Sequence, residues 1–449
     1  MTDKKYLKWY NKVGYGSGDI AGNVVYALLS SFVMIYLTDT VGLNAGIVGT
    51  LIAVSKIFDG ISDIFFGALI DKTKTKMGKA RPWMLYGYFG CAICLIAIFC
   101  IPTDMGQIAQ YAWFFITYTL LNAGFYTANN IAYSALITRN NHERVQMGSI
   151  RFMFAFGTSM LIQVITVDIV NNLGGGADAW RTVAIVYAII GVISNTISVF
   201  SVKEFSQKEI AKEETEKEEK YGLIDAFKLL VHNKYFLMIC GAYLLMQIYS
   251  ATLGMGIYFM KYVLGDEEIF GVFAWAINIP MIAGLLLTPI LVKKLGGMYR
   301  LNIVGYIVGV LGRMGVLIAG YMGSIPIMLA FTAVAALGMS PLQGDMNALI
   351  ATTSEYTKLT TGKKVDGIMY SCTSFGTKVG GGIGTAIAGW LLAASGYVEN
   401  AAVQSESCLN MLHVMYLWLP MIFNILITIV LIKLNVEKTN AEIKESINN

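Results

Sequence analysis

Twelve stretches of this chain, each about 20 residues or more and mostly apolar, leave it little choice of solvent. A hydrocarbon core about 30 Å thick is crossed by about 20 residues of helix, and inside it each backbone N–H and C=O must be satisfied without water. Runs of this length select helices. They lie near 13–38, 43–70, 83–102, 108–138, 146–172, 180–202, 235–262, 268–292, 300–320, 325–352, 366–394 and 408–433. The composition agrees, because only 14% of residues are charged where soluble domains carry about 25%. An all-α integral membrane protein of twelve transmembrane helices is predicted. The opening MTDKKYLKWYNK is basic and leads into a span holding Asp19 and Asn23, with no small-residue cleavage pattern, so no removable signal peptide is expected.

The basic residues fall in alternate loops. Lys4, Lys5, Lys8 and Lys12, then Lys72, Lys74, Lys76, Lys79 and Arg81, then Arg139 and Arg144, then Lys293, Lys294 and Arg300, then Lys358, Lys363 and Lys364 mark one side. The opposite loops hold only Arg181. Lys and Arg collect on the cytoplasmic side, so both termini are expected inside the cell membrane. The net charge of +4 gives no nucleic-acid footprint.

The charged run KEFSQKEIAKEETEKEEK at 203–220 cannot enter lipid and divides the chain into halves of six spans. Residues 1–202 form the first half and 235–449 the second with a cytoplasmic tail. Between them, 203–234 is a linker whose Leu223, Ala226, Phe227 and Leu230 make one apolar stripe of a short surface helix. YLTDTVGLNAGIVGT at the first turn of the first half is echoed by FMKYVLGDEEIFGVF in the second. Related six-helix halves place a substrate site between them near the bilayer midplane, which is transporter architecture.

Polar residues inside such spans are functional candidates, since each costs a few kcal/mol to insert. In the second span Lys56, Asp59 and Asp63 share one face with Ser62 beside them. Two acids against one base leave a carboxylate that can coordinate a small hard cation or hold a proton. Asp19, Asn23, Tyr26 and Ser30 form a stripe on the first span. Asn122, Tyr126, Asn129 and Tyr133 form another on the fourth, with Asn130 adjoining. Amides and tyrosines suit a sugar, whose hydroxyls pair with amides while its C–H face packs on an aromatic ring. Arg151 opens the fifth span, and Lys378 lies on the eleventh in line with Ser371 and Ser374. A deep ammonium at Lys378 needs a partner, and the acids of the second span are the expected ones. Asp345, Gln343 and Gln247 are further polar positions of the second half, and Arg313 stands isolated on the ninth span.

Other signals point to structure. Cys91, Cys94, Cys100 and Cys240 sit in apolar runs and read as small buried hydrophobes. Gly380, Gly381, Gly382 and Gly384 lie in an apolar helix, where small residues permit close helix approach, and not in a phosphate loop. His142, His232 and His413 are scattered. No nucleophile–base pair or metal set stands at useful spacing, so an enzyme is not expected, and no cofactor beyond a coupling ion.

The runs KVGYGSGDIAGN, FVMIYLTDTVGL and KIFDGISDIFFGALIDKTKTKMGKARPW, with IAYSALI, EYTKLTTGKKVDGIMYSCTSFGTKVGGGIG and AGWLLAASGY, extend over nearly the whole chain. They resemble the glycoside-pentoside-hexuronide:cation symporters, the melibiose-permease branch of the major facilitator superfamily. The resemblance implies symport of a sugar or glycoside with sodium or a proton by alternating access. Asp59 and Asp63 fall on the family's cation carboxylates, and Ser62 stands where melibiose-type members have an amide. Asn23 and Asn129 fall where those members have sugar-binding carboxylates, Tyr133 where they have a tryptophan, and Arg151 and Lys378 on basic positions. The expected cation site is therefore Asp59, Asp63, Ser62 and Tyr126, with Lys56 balancing charge. The expected sugar site is Asp19, Asn23, Tyr26, Asn129, Tyr133, Arg151, Ser374 and Lys378. A lipid carrier of the same superfamily branch is the alternative; it needs an apolar cleft, against which the Asn and Tyr stripes argue.

Overall fold

The apolar runs are helical throughout the residues described by the computed structural model, which are 5–73, 75–102, 104–129, 137–138, 141–205, 230–362, 366–399 and 401–448. Most of the charged linker, the bulk of the expected surface helix at 221–234, and Asn130, Tyr133, Arg139, Lys363 and Lys364 lie outside them. The chain divides into two units, Met1–Glu219 with Val398–Ala401, and Lys220–Tyr397 with Ala402–Asn449.

In the first unit α1 spans Trp9–Thr40, α2 Ala45–Lys72 and α3 Arg81–Ile98. Helix α4 comprises Gln107–Thr119, the π-helical turn Leu120–Tyr126 and Thr127–Asn129, followed by α5 Asn141–Asn172 and α6 Gly176–Ser201. The second unit holds α7 Lys234–Leu264, α8 Ile269–Leu295, α9 Met298–Tyr321, α10 Ile325–Thr361, α11 Asp366–Ala394 and α12, which runs from Glu406–His413 through Val414–Trp418 to Leu419–Lys433. A polar helix α13, Val436–Asn448, follows. Ten of these runs are long and apolar enough to cross a membrane by themselves among the described residues; α4 and α11 complete the twelve. Ile185, Ile189, Ile193 and Ile197 form an exposed stripe on α6 at steps of one turn, a surface made for lipid.

Helix α10 continues to Thr361, past the end expected at 352. Its polar extension has tertiary support: Asn440 of α13 donates to the Thr352 carbonyl at 2.8 Å, and Lys444 pairs with Glu355 at 2.8 Å. Gly362, at φ +73°, then supplies the left-handed residue that ends the helix. Gly380 and Gly384 of α11 sit at a close helix approach as expected: a Cβ on Gly384 would stand 2.8 Å from Ala251 Cβ on α7.

Corresponding details recur in the two units. The echoed turn carries a π-helical segment in both, Tyr36–Thr40 at the end of α1 and Met260–Leu264 at the end of α7. The third helix of each unit is capped by a carboxylate from the segment after its sixth helix. Glu204 accepts from the amides of Lys79, Ala80 and Arg81 at 2.7, 3.0 and 2.8 Å, and Glu437 from those of Met298 and Tyr299 at 3.2 and 2.8 Å. Free N–H groups and the helix dipole both favour an anion there.

The N-terminal segment is held by a further acid. Glu143 accepts from the Tyr6 and Leu7 amides at 3.2 and 3.1 Å and from the Thr138 hydroxyl at 2.7 Å, with the Lys12 ammonium 3.5 Å away. Burial alone would raise this acid, but the Thr138 hydroxyl, the two amides and Lys12 outweigh it and hold the carboxyl below the usual glutamate range. A group depressed in the fold stabilises above its unfolded pKa, and that contribution is lost as pH falls through the folded value. Acidification should therefore release residues 5–8, and Glu143→Gln should release them at neutral pH. Hydrogen exchange at the Tyr6 and Leu7 amides measures both, and unchanged protection in the Gln variant would remove the carboxylate from this role.

Candidate functional site

Two polar clusters lie side by side in the first unit, joined by α4. The first is built on α2. Asp59, 2% exposed, accepts from the Thr127 hydroxyl at 3.0 Å, and the Lys56 ammonium stands 3.5 Å from its other oxygen. Lys56 also donates to Asn122 Oδ1 at 3.0 Å, and Asn122 is fixed by its own donation to the Tyr118 carbonyl at 2.9 Å. Ser62 turns back to the Asp59 carbonyl at 2.9 Å and lies 3.5 Å from the Thr127 hydroxyl. Asp63 is half-buried one turn further along α2. Two carboxylates, two hydroxyls and an ammonium thus occupy one face of α2 and the facing turn of α4, a donor set of hard oxygens.

The second cluster lines a cavity of about 280 Å³ bounded by Tyr15, Gly18, Asp19, Gly22, Asn23, Tyr26, Met84, Tyr126, Asn129, Arg151 and Ser198. Across it Arg151 grips Asp19 with both arms of the guanidinium, Nε to Oδ2 at 2.6 Å and Nη2 to Oδ1 at 3.1 Å. The Tyr15 ring lies under the cation, its centroid 5.6 Å from the guanidinium carbon. Asn23 donates to the Asp19 carbonyl at 2.8 Å and accepts from Ser159 at 3.0 Å. Tyr26 is half exposed on the cavity wall, whereas Ser30, the last of the α1 stripe, turns to the Ala27 carbonyl. Asn129 is 5% exposed, and its Oδ1 has no hydrogen-bond partner among the described residues. Asn129 lines the cavity, and a buried carbonyl oxygen without a donor is rare enough in a folded protein to mark a site that expects one from elsewhere.

The π-helical turn in α4 decides which residues reach which cluster. A stripe of Asn122, Tyr126 and Asn129 assumes α-helical phase, but Leu120–Tyr126 is wound more widely. Asn122 consequently meets Lys56, and Tyr126 and Asn129 meet the cavity. The hydroxyl that reaches Asp59 belongs to Thr127, a residue absent from the expected cation set, and Tyr126 lines the cavity instead. Close packing fixes this arrangement: a Cβ on Gly87 of α3 would stand 3.1 Å from the Phe125 carbonyl oxygen and 3.2 Å from the Asn129 amide.

The remaining candidates lie on the second unit or outside the described residues. Ser374 is exposed and Lys378 half-buried, one turn apart on α11. Tyr133 is outside the described residues. Arg313, isolated in sequence, is 2% exposed, donates to the Tyr249 hydroxyl and lies over that ring at 5.1 Å.

Comparison with known proteins agrees with this architecture. The chain is similar to the isoprimeverose transporter of Lactiplantibacillus pentosus, with 28% identity over 431 residues covering 94% of this chain and 88% of that protein. It is equally similar to a glucuronide carrier protein homolog of Escherichia coli (strain K12), 28% over 410 residues, covering 89% and 87%. Solved structures share the fold at low identity. A D-xylose-proton symporter superposes with a TM-score of 0.63 at 16% identity, over 94% of this chain and 97% of that one. Nucleoside transporter NupG gives 0.64 at 12%, over 94% and 98%. The profile of MFS/sugar transport proteins matches residues 14–438, and the chain, a multi-pass membrane transporter, belongs to that family.

Proposed function

We propose that this protein is a secondary transporter of the cell membrane, with both termini cytoplasmic, that moves a sugar or glycoside together with sodium or a proton by alternating access. The observation that carries this reading is the orphan oxygen of Asn129, a residue that lines one cavity with the Asp19–Arg151 pair, and that cavity is separated from the Asp59 cluster by one peptide of α4. A sugar hydroxyl supplies the donor that Asn129 lacks, and the paired charges offer further acceptors and donors to neighbouring hydroxyls. In this reading Asp59 and Asp63 hold the cation, with Ser62 and Thr127 as neutral oxygens and Lys56 compensating charge in the empty carrier. Lys378 and Ser374 are proposed to contribute from the second unit.

Uptake of labelled glycosides into vesicles containing the purified protein, driven in turn by a sodium and a proton gradient, tests the proposal. Accumulation under one gradient supports it, and uptake indifferent to both gradients and to every sugar overturns it. Within that assay Asn129→Ala should weaken sugar binding by about 1–3 kcal/mol, the usual consequence of removing a buried hydrogen-bonding group. The cation response of the empty carrier should persist. Unchanged sugar affinity would make Asn129 a helix-packing residue.

A further inference from the structure

Asp345 on α10 is 6% exposed, and among the described residues the one side chain that bonds its carboxylate is the amide of Asn302 on α9. Nδ2 of Asn302 lies 3.1 Å from Oδ1 and 3.1 Å from Oδ2. Among the described residues no Lys, Arg or His nitrogen stands within 4.0 Å of this carboxylate. Asn302 is itself 2% exposed, and its Oδ1 has no donor among the described residues. An ionised Asp345 thus leaves two buried faults together, an uncompensated charge inside a span and an amide oxygen without a partner.

One proton removes both. A neutral carboxylic acid has an O–H to give, and Asn302 Oδ1 lacks a donor at the same place. With the amide turned about its terminal torsion, the acid O–H donates to Oδ1 while Nδ2–H donates to the acid C=O. The two side chains then close a pair of hydrogen bonds with no net charge. Which way an amide points is settled by such a network, and this one gives a partner to both carboxyl oxygens of Asp345 and to Oδ1 and Nδ2 of Asn302. We propose that Asp345 is a proton-binding site of the second unit, separate from the acids of α2 and independent of which ion those acids serve.

The surroundings reinforce the neutral form. Glu437 of α13 acts on Asp345 as a like charge while capping the first turn of α9. Tyr306 lies one turn beyond Asn302 on α9, with a buried hydroxyl that has no hydrogen-bond partner among the described residues. Helices α7, α8 and α11 also pack against α10 and, among the described residues, bring no cationic nitrogen into ion-pair range of this carboxylate.

The test uses the full-length protein in liposomes and the variants Asp345→Asn and Asn302→Leu. Infrared difference spectra recorded from mildly acidic to alkaline buffer should show the C=O stretch of a buried protonated carboxylic acid in the parent protein. The band should disappear in Asp345→Asn and shift in frequency in Asn302→Leu. Asp345→Asn, an isostere of the neutral acid, should fold normally and lose the fall in thermal stability that the parent shows as the buffer becomes alkaline. A band and a stability profile identical in parent and Asp345→Asn overturn the proposal. So does failure of Asp345→Asn to fold, because a site that needs the negative charge is not a proton site. Sugar uptake need not be measured, so the outcome is independent of the transport reading.

Discussion

Asp59→Asn is expected to abolish concentrative uptake: sugar still equilibrates across the vesicle membrane, but its internal concentration no longer exceeds the external one. The substitution leaves the side chain's shape and removes the charge that faces Lys56 at 3.5 Å and accepts from Thr127 at 3.0 Å. Lys56 keeps its bond to Asn122 and loses the carboxylate beside it, so the cluster goes from net negative to neutral and no longer has the surplus charge that holds the coupling ion. Counterflow exchange of sugar, which needs no net cation movement, should survive. A weaker effect is expected from Thr127→Val, which removes one hydrogen-bond donor from the buried Asp59 carboxylate and should cost about 1–3 kcal/mol in cation affinity. Full accumulation by Asp59→Asn in a gradient-driven assay would take the α2 cluster out of the coupling mechanism.

The second large effect is expected at Arg151. Its side chain and that of Asp19 are only 27% and 17% exposed, so Arg151→Ala strands a carboxylate in the wall of the cavity. Breaking a buried pair costs about 3–5 kcal/mol; the openings toward the cavity place this one near the lower end. Sugar binding should fall below detection by calorimetry while the protein still folds. Arg151→Lys should restore little, because a single ammonium cannot reproduce the two parallel bonds of 2.6 and 3.1 Å. The reciprocal variant is more informative about selectivity. While Asp19 occupies both arms of Arg151, the cavity wall presents a neutral pair, which fits an uncharged glycoside better than a hexuronide. Asp19→Asn frees the fork for a substrate carboxylate, so the ratio of hexuronide to neutral glycoside affinity should rise. A ratio that does not change would show that Arg151 does not read substrate charge.

The sequence by itself determined the solvent, the class of fold, the number of helices and the positions where polar groups interrupt them. Transfer from water to hydrocarbon is summed over each segment separately, so a run such as 180–202 declares itself whatever surrounds it. The faces of α1 and α2 were legible for the same reason, since Asp19, Asn23 and Tyr26, and Lys56 and Asp59, keep regular α-helical phase. Tertiary structure alone decided the partners. Arg151 meets Asp19 across 132 positions of sequence, and Glu143 meets Leu7 across 136. Such pairs depend on how closely helices approach, which Gly87 sets for α3 and α4. The π-helical turn at Leu120–Tyr126 was hidden too, because its residues are as compatible with an ordinary helix. The wider winding shifts the phase of everything after it, and so it was packing against α2 and α3, not local preference, that gave Thr127 to Asp59 and Tyr126 and Asn129 to the cavity.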